Sequence, residues 1–351
     1  MSEVKIIVGD FHIGRGVVLD GKMNPREDFK SDEIFENFLR YNLNEYGNFE
    51  LILNGDMFDI IKAASDEKGK VTKKAVFEFM EESFSNHKRF FESLKNFILS
   101  GGKIVYIVGN HDQAVASDDL QKFLRERIDP SGVSLRFVLR EYVNMGVWIE
   151  HGHRYEVLNR TDIHNVWVKD ELGEEILNMP WASKFVVDFI SKLRDNYPYI
   201  DKVRPLKNFL KWGIFFETKF TLKTVYKIII YWLKNRVYFD PIRKMSFRVS
   251  LRHVSNSLSF DAINNAVDKL MKRQDVDVFI LGHTHSTLIQ RKGNKVYANS
   301  GTWCDYISLN LHSLGHQSKM PFVFLKNDGN RWNTSLRFWL GNPRAFDEIS
   351  V

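Results

Sequence analysis

The sequence predicts an α/β fold, with strands and helices alternating in layers and a single helical insertion. Three observations predict it. Short apolar runs recur and each stops at a glycine or a polar cluster. Amphipathic stretches lie between them. From about Tyr155 to His253 the alternation gives way to segments rich in aromatic and basic residues.

The strand-like runs, in order, are VKIIVGD (4–10), FELILNGD (49–56), KIVYIVGN (103–110), GVWIEHG (146–152), VDVFILGH (276–283) and KVYANSG (295–301). Their length and β-branched content favour buried strands over fragments of helix. SDEIFENFLRYNLNEY opens with Ser31 in the N-cap position and keeps Ile34, Phe35, Phe38, Leu39 and Leu43 on one helical face. KKAVFEFMEESFSNHKRFFESLKNFIL reads as one long helix, with Phe77, Met80, Phe84, Phe91, Leu94 and Ile98 near helical spacing. KFVVDFISKLRDN and FLKWGIFFETKFTLKTVYKIIIYWLKNRVYF are further helical stretches, punctuated by Pro198, Pro205 and Pro241. Strand-like runs resume at Val276. Residues 155–253 are therefore expected to be an insertion into one domain formed by residues 1–154 and 254–351.

Hydrophobic content of 44% with 27% charged residues excludes a disordered chain. A single cysteine, Cys304, excludes a disulfide framework and a cysteine-rich zinc site, and fits a reducing compartment. No run reaches about eighteen uninterrupted apolar residues, and the N-terminus lacks the long apolar stretch of a signal peptide. A cytoplasmic globular protein is expected. Charge is unevenly spread: between Lys184 and Arg252, sixteen Lys or Arg stand against five Asp or Glu, in a chain of net charge +6. The remainder is slightly acidic, and the insertion is a specialised basic segment.

Five of the six runs deliver polar residues at their C-terminal ends. These are Asp10-Phe11-His12, Asn54-Gly55-Asp56-Met57-Phe58-Asp59, Gly109-Asn110-His111-Asp112, His151-Gly152-His153 and Gly282-His283-Thr284-His285. Sites of open α/β sheets form outside the carboxyl ends of strands, so these loops can converge. Carboxylates, an amide oxygen and imidazoles without a thiolate suit Mn²⁺, Fe or Zn²⁺ in mixed nitrogen–oxygen coordination. A carboxylate can bridge two cations, and a pair about 3.5–4 Å apart clamps a phosphoryl group and activates water. Each motif alone is weak: D-x-H arises by chance, GNHD can be an Asx-type turn, and H-x-H can be two solvated rings. Five in order, each closing a strand, form a specific conjunction.

The series D-x-H, G-D-x-x-D, G-N-H-D, H-G-H, G-H-x-H resembles the calcineurin-like metallophosphoesterase superfamily, and ANSGTW (298–303) resembles the strand and turn that follow its last motif. The resemblance implies a two-sheet β-sandwich flanked by helices, in four layers, with a dimetal site at the sheet edges. It implies one divalent cation, foremost Mn²⁺, on Asp10, His12, Asp56 and His285. A second would sit on Asp56 as the bridge, Asn110, His151 and His283. His111 would lie outside the ligands and assist the leaving oxygen, oriented by Asp112, with Asp59 a supporting acid. His153 is the other histidine of H-G-H, but the family's ligand matches the one before the glycine. The implied reaction is phosphoester hydrolysis by a metal-bridging hydroxide.

Protein Ser/Thr phosphatases of this superfamily carry arginines in their second and third motifs, and GDMFDII and VGNHD lack them. Nucleases of the superfamily use G-D-x-F-D and G-N-H-D, and a basic segment can track a phosphate backbone. Hydrolases that cleave the pyrophosphate of UDP-2,3-diacylglucosamine share GDMFD and a helical insertion between the fourth and fifth motifs. They differ in carrying Arg where this chain has His111, and HGD where it has HGH. A catalytically silent scaffold would be expected to have lost ligands, and none is lost here.

The insertion mixes Phe209, Trp212, Phe215, Phe216, Phe220, Tyr226, Tyr231 and Trp232 with Lys207, Lys211, Lys219, Lys223 and Lys227. That composition suits packing on its own domain, peripheral contact with an anionic membrane through residues 184–252, or stacking with nucleic-acid bases. The expected partners are accordingly a phosphorylated small molecule or lipid-linked substrate, the membrane, or nucleic acid. Arg15 and Asn110 are expected to meet the substrate phosphate, since guanidinium geometry matches phosphate. His164, Trp303 and Asp305 are further candidates for the pocket, and Cys304 is expected to be buried filler.

Overall fold

The computed structural model describes residues 3–350, apart from 20, 25, 64–68, 195–196, 198–199, 201, 205, 239–260, 310–313, 330 and 342–345. Pro198, Pro205 and Pro241 lie outside the described residues.

All six strand-like runs form strands, in two sheets. The first sheet contains β1 (Val4–Val8), β2 (Glu50–Asn54), β3 (Lys103–Ile107) and β4 (Leu135–Val138), all paired in parallel. The second contains β5 (Glu141–Asn144), β6 (Val147–Glu150), β7 (Val278–Leu281), β8 (Thr287–Lys292) and β9 (Lys295–Ser300), in the order β8-β9-β7-β6-β5. An antiparallel meander, β10 (Pro321–Asn327), β11 (Trp332–Trp339) and β12 (Phe346–Ser350), completes the first sheet through β1, giving the order β12-β11-β10-β1-β2-β3-β4.

Strand alternation sorts the core into layers. Ile7, Ile52, Val105 and Ile107 of the first sheet pack against Ile149, Val278, Ile280 and Ala298 of the second. Ile6, Val8, Leu51, Leu53 and Tyr106 point the other way, into helices α1 (Asp32–Tyr46), α2 (Lys73–Asn86), α3 (Lys88–Leu99) and α4 (Asp118–Ile128). Beyond the second sheet, Phe279 and Leu281 meet Ile263 and Leu270 of helix α5 (Asp261–Leu270). Helix, sheet, sheet and helix make the four-layer sandwich.

The expected single helix over residues 73–99 is two, broken at His87, whose backbone sits at φ −108°, ψ 36°. The periodicity runs through the break because Phe84 and Phe91 stack across it at 3.8 Å. The break turns the His87 ring inward. Nδ1 lies 3.1 Å from both oxygens of Asp32, and Nε2 lies 3.5 Å from Glu27. Ser31 keeps the N-cap position of α1 but makes no side-chain capping bond.

Burial disfavours a charged His87, but the hydrogen bonds to Asp32 and Glu27 more than offset it and raise its pKa to about 9. A raised folded-state pKa stabilises the fold fully below the unfolded value of about 6.5, and the contribution is lost as pH rises through the folded pKa. Unfolding by urea is therefore expected to show stability falling by about 3 kcal/mol between pH 6.5 and 9, with His87→Asn flattening that slope. An unchanged slope in the variant would assign the pH dependence to other groups.

Candidate metal centre

Backbone conformation marks the site before any side chain is considered. Among the described residues, six other than glycine adopt positive φ, and five are Asp10 (53°), His12 (47°), Asp56 (50°), His283 (68°) and His285 (58°). L-residues adopt this region at a cost of about 1–2 kcal/mol and cluster there at functional sites. Main-chain bonds hold the strained turns together. Asp10 N donates to Gly55 O (3.0 Å), His12 N to Asp56 O (2.9 Å) and Gly282 N to His151 O (2.9 Å). Glycines make the approach close: a Cβ on Gly109 would stand 2.1 Å from Asp56 Oδ1, and one on Gly55 2.4 Å from the His151 ring.

The side chains then converge in three overlapping groups: Asp10 with His12 and His285, His12 with Asp56 and His111, and Asp56 with His151 and His283. His285 Nε2 lies 3.3 Å from Asp10 Oδ1 and 3.0 Å from His12 Nε2. Asp56 Oδ2 lies 3.1 Å from His151 Nε2 and 3.8 Å from His12 Nε2. Asp10 Oδ1, Asn110 Oδ1 and His151 Nε2 are buried and make no hydrogen bond. Buried polar atoms of this kind are rare and demand a partner. Carboxylate, amide and imidazole donors fit divalent cations of intermediate hardness.

The electrostatics point the same way. Asp10 and Asp56 are fully buried, yet neighbouring imidazoles hold both carboxyls below their ordinary pKa against the opposing effect of burial. These carboxylates in turn draw a proton onto His151, raising it to about 10 despite burial. Burial and the nearby His111 push His12 down to about 3, which leaves its ring neutral and able to ligate. The pocket is built to attract positive charge.

His111 differs from the expected arrangement. Its Nδ1 lies 2.9 Å from Asp59 Oδ1, so Asp59, not Asp112, orients the ring. Asp112 is adjacent in sequence, but the turn folds its carboxylate back. There it accepts from Gly109 N (2.7 Å), Tyr106 Oη (2.5 Å) and Met57 N (2.8 Å), tying the second and third motif loops together. Burial and the neighbouring Asp56 raise the Asp112 carboxyl to about 6. Burial opposes a charged His111, but Asp56 and Asp59 outweigh it and raise its pKa, favouring the proton-bearing form.

Other candidates fall elsewhere. Arg15 forms an ion pair with Glu82 and lies over the Phe79 ring. His153 is buried, with Nε2 3.2 Å from Thr161 Oγ1, and joins none of the three groups. His164 is exposed. Trp303 is part of the core against Phe11, Phe35 and Phe38 rather than of a pocket, and Asp305 pairs with His316. Cys304 is buried, its Sγ donating to Phe11 O. Sequence reasoning missed Glu156, whose Oε2 lies 3.0 Å from His283 Nε2. A carboxylate there fixes the ring and leaves Nδ1 for a cation, as second carboxylates do at metal-binding histidines. A lone Glu in RYEVLN carries no signal that would have found it.

Strained Asp and His turns at the ends of strands from both sheets, with unmet buried ligand atoms, make a centre for divalent metal. The calcineurin-like phosphoesterase family model matches residues 6–287, and the chain belongs to that family. No curated protein matches the chain in sequence. Among solved structures it is similar to Vacuolar Protein Sorting 29 from Cryptosporidium parvum (14% identity, TM-score 0.37, covering 100% of this chain and 99% of that one). It is also similar to a dimetal phosphatase from Danio rerio (8% identity, TM-score 0.40, 99% and 98% covered). A third is a putative 5'-nucleotidase from Staphylococcus aureus (11% identity, TM-score 0.38, covering 100% of this chain and 54% of that one). The family rests on the match over residues 6–287.

Proposed function

We propose that the protein hydrolyses a phosphodiester or pyrophosphate bond. One divalent cation would be held by Asp10, His12, Asp56 and His285, and the other by Asp56, Asn110, His151 and His283. The observation that carries this reading is the positive φ of five of these residues, a strain with no structural use unless their side chains must meet at one point. Such cations, foremost Mn²⁺, supply Lewis acidity toward phosphate oxygens and attacking water. The chain's own residues do the rest. Asp56 joins the two halves of the site, Glu156 fixes His283, and His111 holds a proton for the leaving oxygen with Asp59 behind its ring. After removal of metal by chelation, bis-p-nitrophenyl phosphate hydrolysis is expected to vanish and to return with Mn²⁺. Turnover that survives chelation, or returns with none of Mn²⁺, Fe²⁺ and Zn²⁺, would sink the proposal.

A substrate at a membrane, such as a nucleotide-linked lipid precursor, is favoured by one further observation. Helices α6 (Leu206–Phe216) and α7 (Thr218–Tyr238), numbered on from the core helices although they precede α5 in the chain, leave large apolar groups in solvent. Phe215 is 79% exposed and Phe216 67%, alongside Trp212, Leu222 and Tyr226. Lys211, Lys219, Lys223 and Lys227 are exposed among them, with Glu217 the only acid in α6, α7 and the residue between them. Apolar groups with lysines suit the interface of an anionic bilayer, although none of the described helices is long and apolar enough to cross one. The protein is expected to float with anionic but not neutral vesicles at physiological salt. Binding to single-stranded DNA in place of vesicles would turn the substrate toward nucleic acid.

A further inference from the structure

Behind His111 a chain of ion pairs continues away from the metal centre. One oxygen of Asp59, Oδ1, holds His111 Nδ1 at 2.9 Å, and the other, Oδ2, takes Lys62 Nζ at 2.5 Å. Lys62 Nζ also lies 2.9 Å from Asp28 Oδ2. The remaining oxygen of Asp28, Oδ1, takes Lys202 Nζ at 2.7 Å and Arg194 Nη2 at 3.2 Å. Each carboxylate thus turns one oxygen toward His111 and one away, linking Arg194 and Lys202 through Asp28, Lys62 and Asp59 to the imidazole.

The links come from distant parts of the sequence. Asp28 stands in the loop that follows the first motif, and Asp59 and Lys62 follow the second. Arg194 and Lys202 belong to the segment expected as an insertion. The side chains are withdrawn from water: Arg194 is 3% exposed, Asp28 9%, Lys202 10% and Lys62 11%. Ion pairs so placed are weakly screened, and a buried carboxylate stripped of its cations takes up whichever cation remains. With Arg194 and Lys202 also on Asp28, the pull of that carboxylate is shared, and Lys62 bridges the two acids closer to Asp59 (2.5 Å) than to Asp28 (2.9 Å). Without them Asp28 pulls harder on Lys62, which already touches it, and draws it off Asp59. Lys202 Nζ lies 3.4 Å from Glu27 O as well, which fixes the same loop.

We propose that Arg194 and Lys202 are positioning residues, whose seating on Asp28 holds Lys62 against Asp59 and so orients His111 toward the leaving oxygen. A change in the seat of these two residues is then felt at the leaving group. This inference rests on the proton-donor role given to His111, and its test separates the two.

The measurement compares two substrates on metal-loaded enzyme: diphenyl phosphate, whose leaving phenolate needs a proton, and bis-p-nitrophenyl phosphate, whose leaving group needs far less help. Arg194→Gln with Lys202→Gln is expected to lower kcat on diphenyl phosphate by about tenfold or more and on the activated ester by less than about twofold, with metal content unchanged. Lys202→Arg, with Arg194 intact, is expected to retain wild-type behaviour. Lys202→Gln alone, which keeps Arg194 on Asp28, gives a milder loss of the same selectivity and serves if the double variant does not fold. In a His111→Ala background the same substitutions add nothing, since they act through that ring. Equal losses on both substrates, or losses that add to those of His111→Ala, overturn the proposal and leave a structural clamp. A His111→Ala enzyme without leaving-group selectivity overturns the reading of His111 itself, and this proposal with it.

Discussion

Replacing Asp56 with Asn is expected to strip the protein of bound divalent metal and to lower kcat by at least about a thousandfold. Among the described residues, Asp56 is the only carboxylate shared by the group around His12 and the group around His151 and His283, so its loss weakens both halves at once. The substitution preserves side-chain shape and the backbone contacts. Asn tolerates φ near 50°, and its oxygen can still accept from the His111 backbone nitrogen, as Asp56 Oδ1 does at 2.8 Å. Losing the carboxylate charge beside His151 (3.1 Å) lets that buried ring give up its proton instead of standing as an unpaired cation, so the fold is expected to survive with a lower melting temperature. Metal analysis, kcat and a thermal melt on the same preparation decide the matter. A folded variant that binds two metals per chain and turns over near the wild-type rate would remove Asp56 from the centre of the site.

The site was legible because its signals are local. An apolar run, a glycine and then polar residues of metal-binding type can be read within seven residues, as in YIVGNHD, and all five runs of this kind are strands, as is the sixth apolar run at 295–301. What failed was the step from adjacency in sequence to contact in space. Asp112 follows His111 directly, yet the turn that places Asn110 and His111 points Asp112 back at Gly109 N. The orienting carboxylate comes instead from Asp59, fifty-two residues away. Glu156, Asp28 and Lys62 escaped notice for the same reason, since their roles exist only once separate loops meet. The meander of β10, β11 and β12 was missed for a different reason. Asp328-Gly329 between two alternating runs is an ordinary hairpin signal, but PFVFLKN and WNTSLRFW carry none of the Asp and His residues that mark the strands of the site. At His87 a local pattern misled: helical spacing continued through a residue whose buried pairing with Asp32 and Glu27 requires a break.

His111→Ala is expected to keep its metal and to lose about 10²–10⁴-fold in kcat on a substrate with a poor leaving group. Metal should remain because the link from His111 to Asp56 is made by the backbone nitrogen, at 2.8 Å, and alanine preserves it. Asp59 keeps its Lys62 partner at 2.5 Å, so no buried carboxylate is abandoned. What disappears is a proton donor whose charged form is favoured by Asp56 and Asp59 against burial, with its side chain still 18% exposed toward an incoming ester. An activated aryl ester, which departs without a proton, should therefore lose little. Asp59→Asn should fall in the same direction but by less, since it leaves the imidazole in place with a weaker partner for Nδ1. Steady-state kinetics on the two substrates, with metal content measured in parallel, give the answer. A His111→Ala enzyme that hydrolyses the poor substrate at the wild-type rate would leave the ring as a neighbour of the centre with no part in the chemistry.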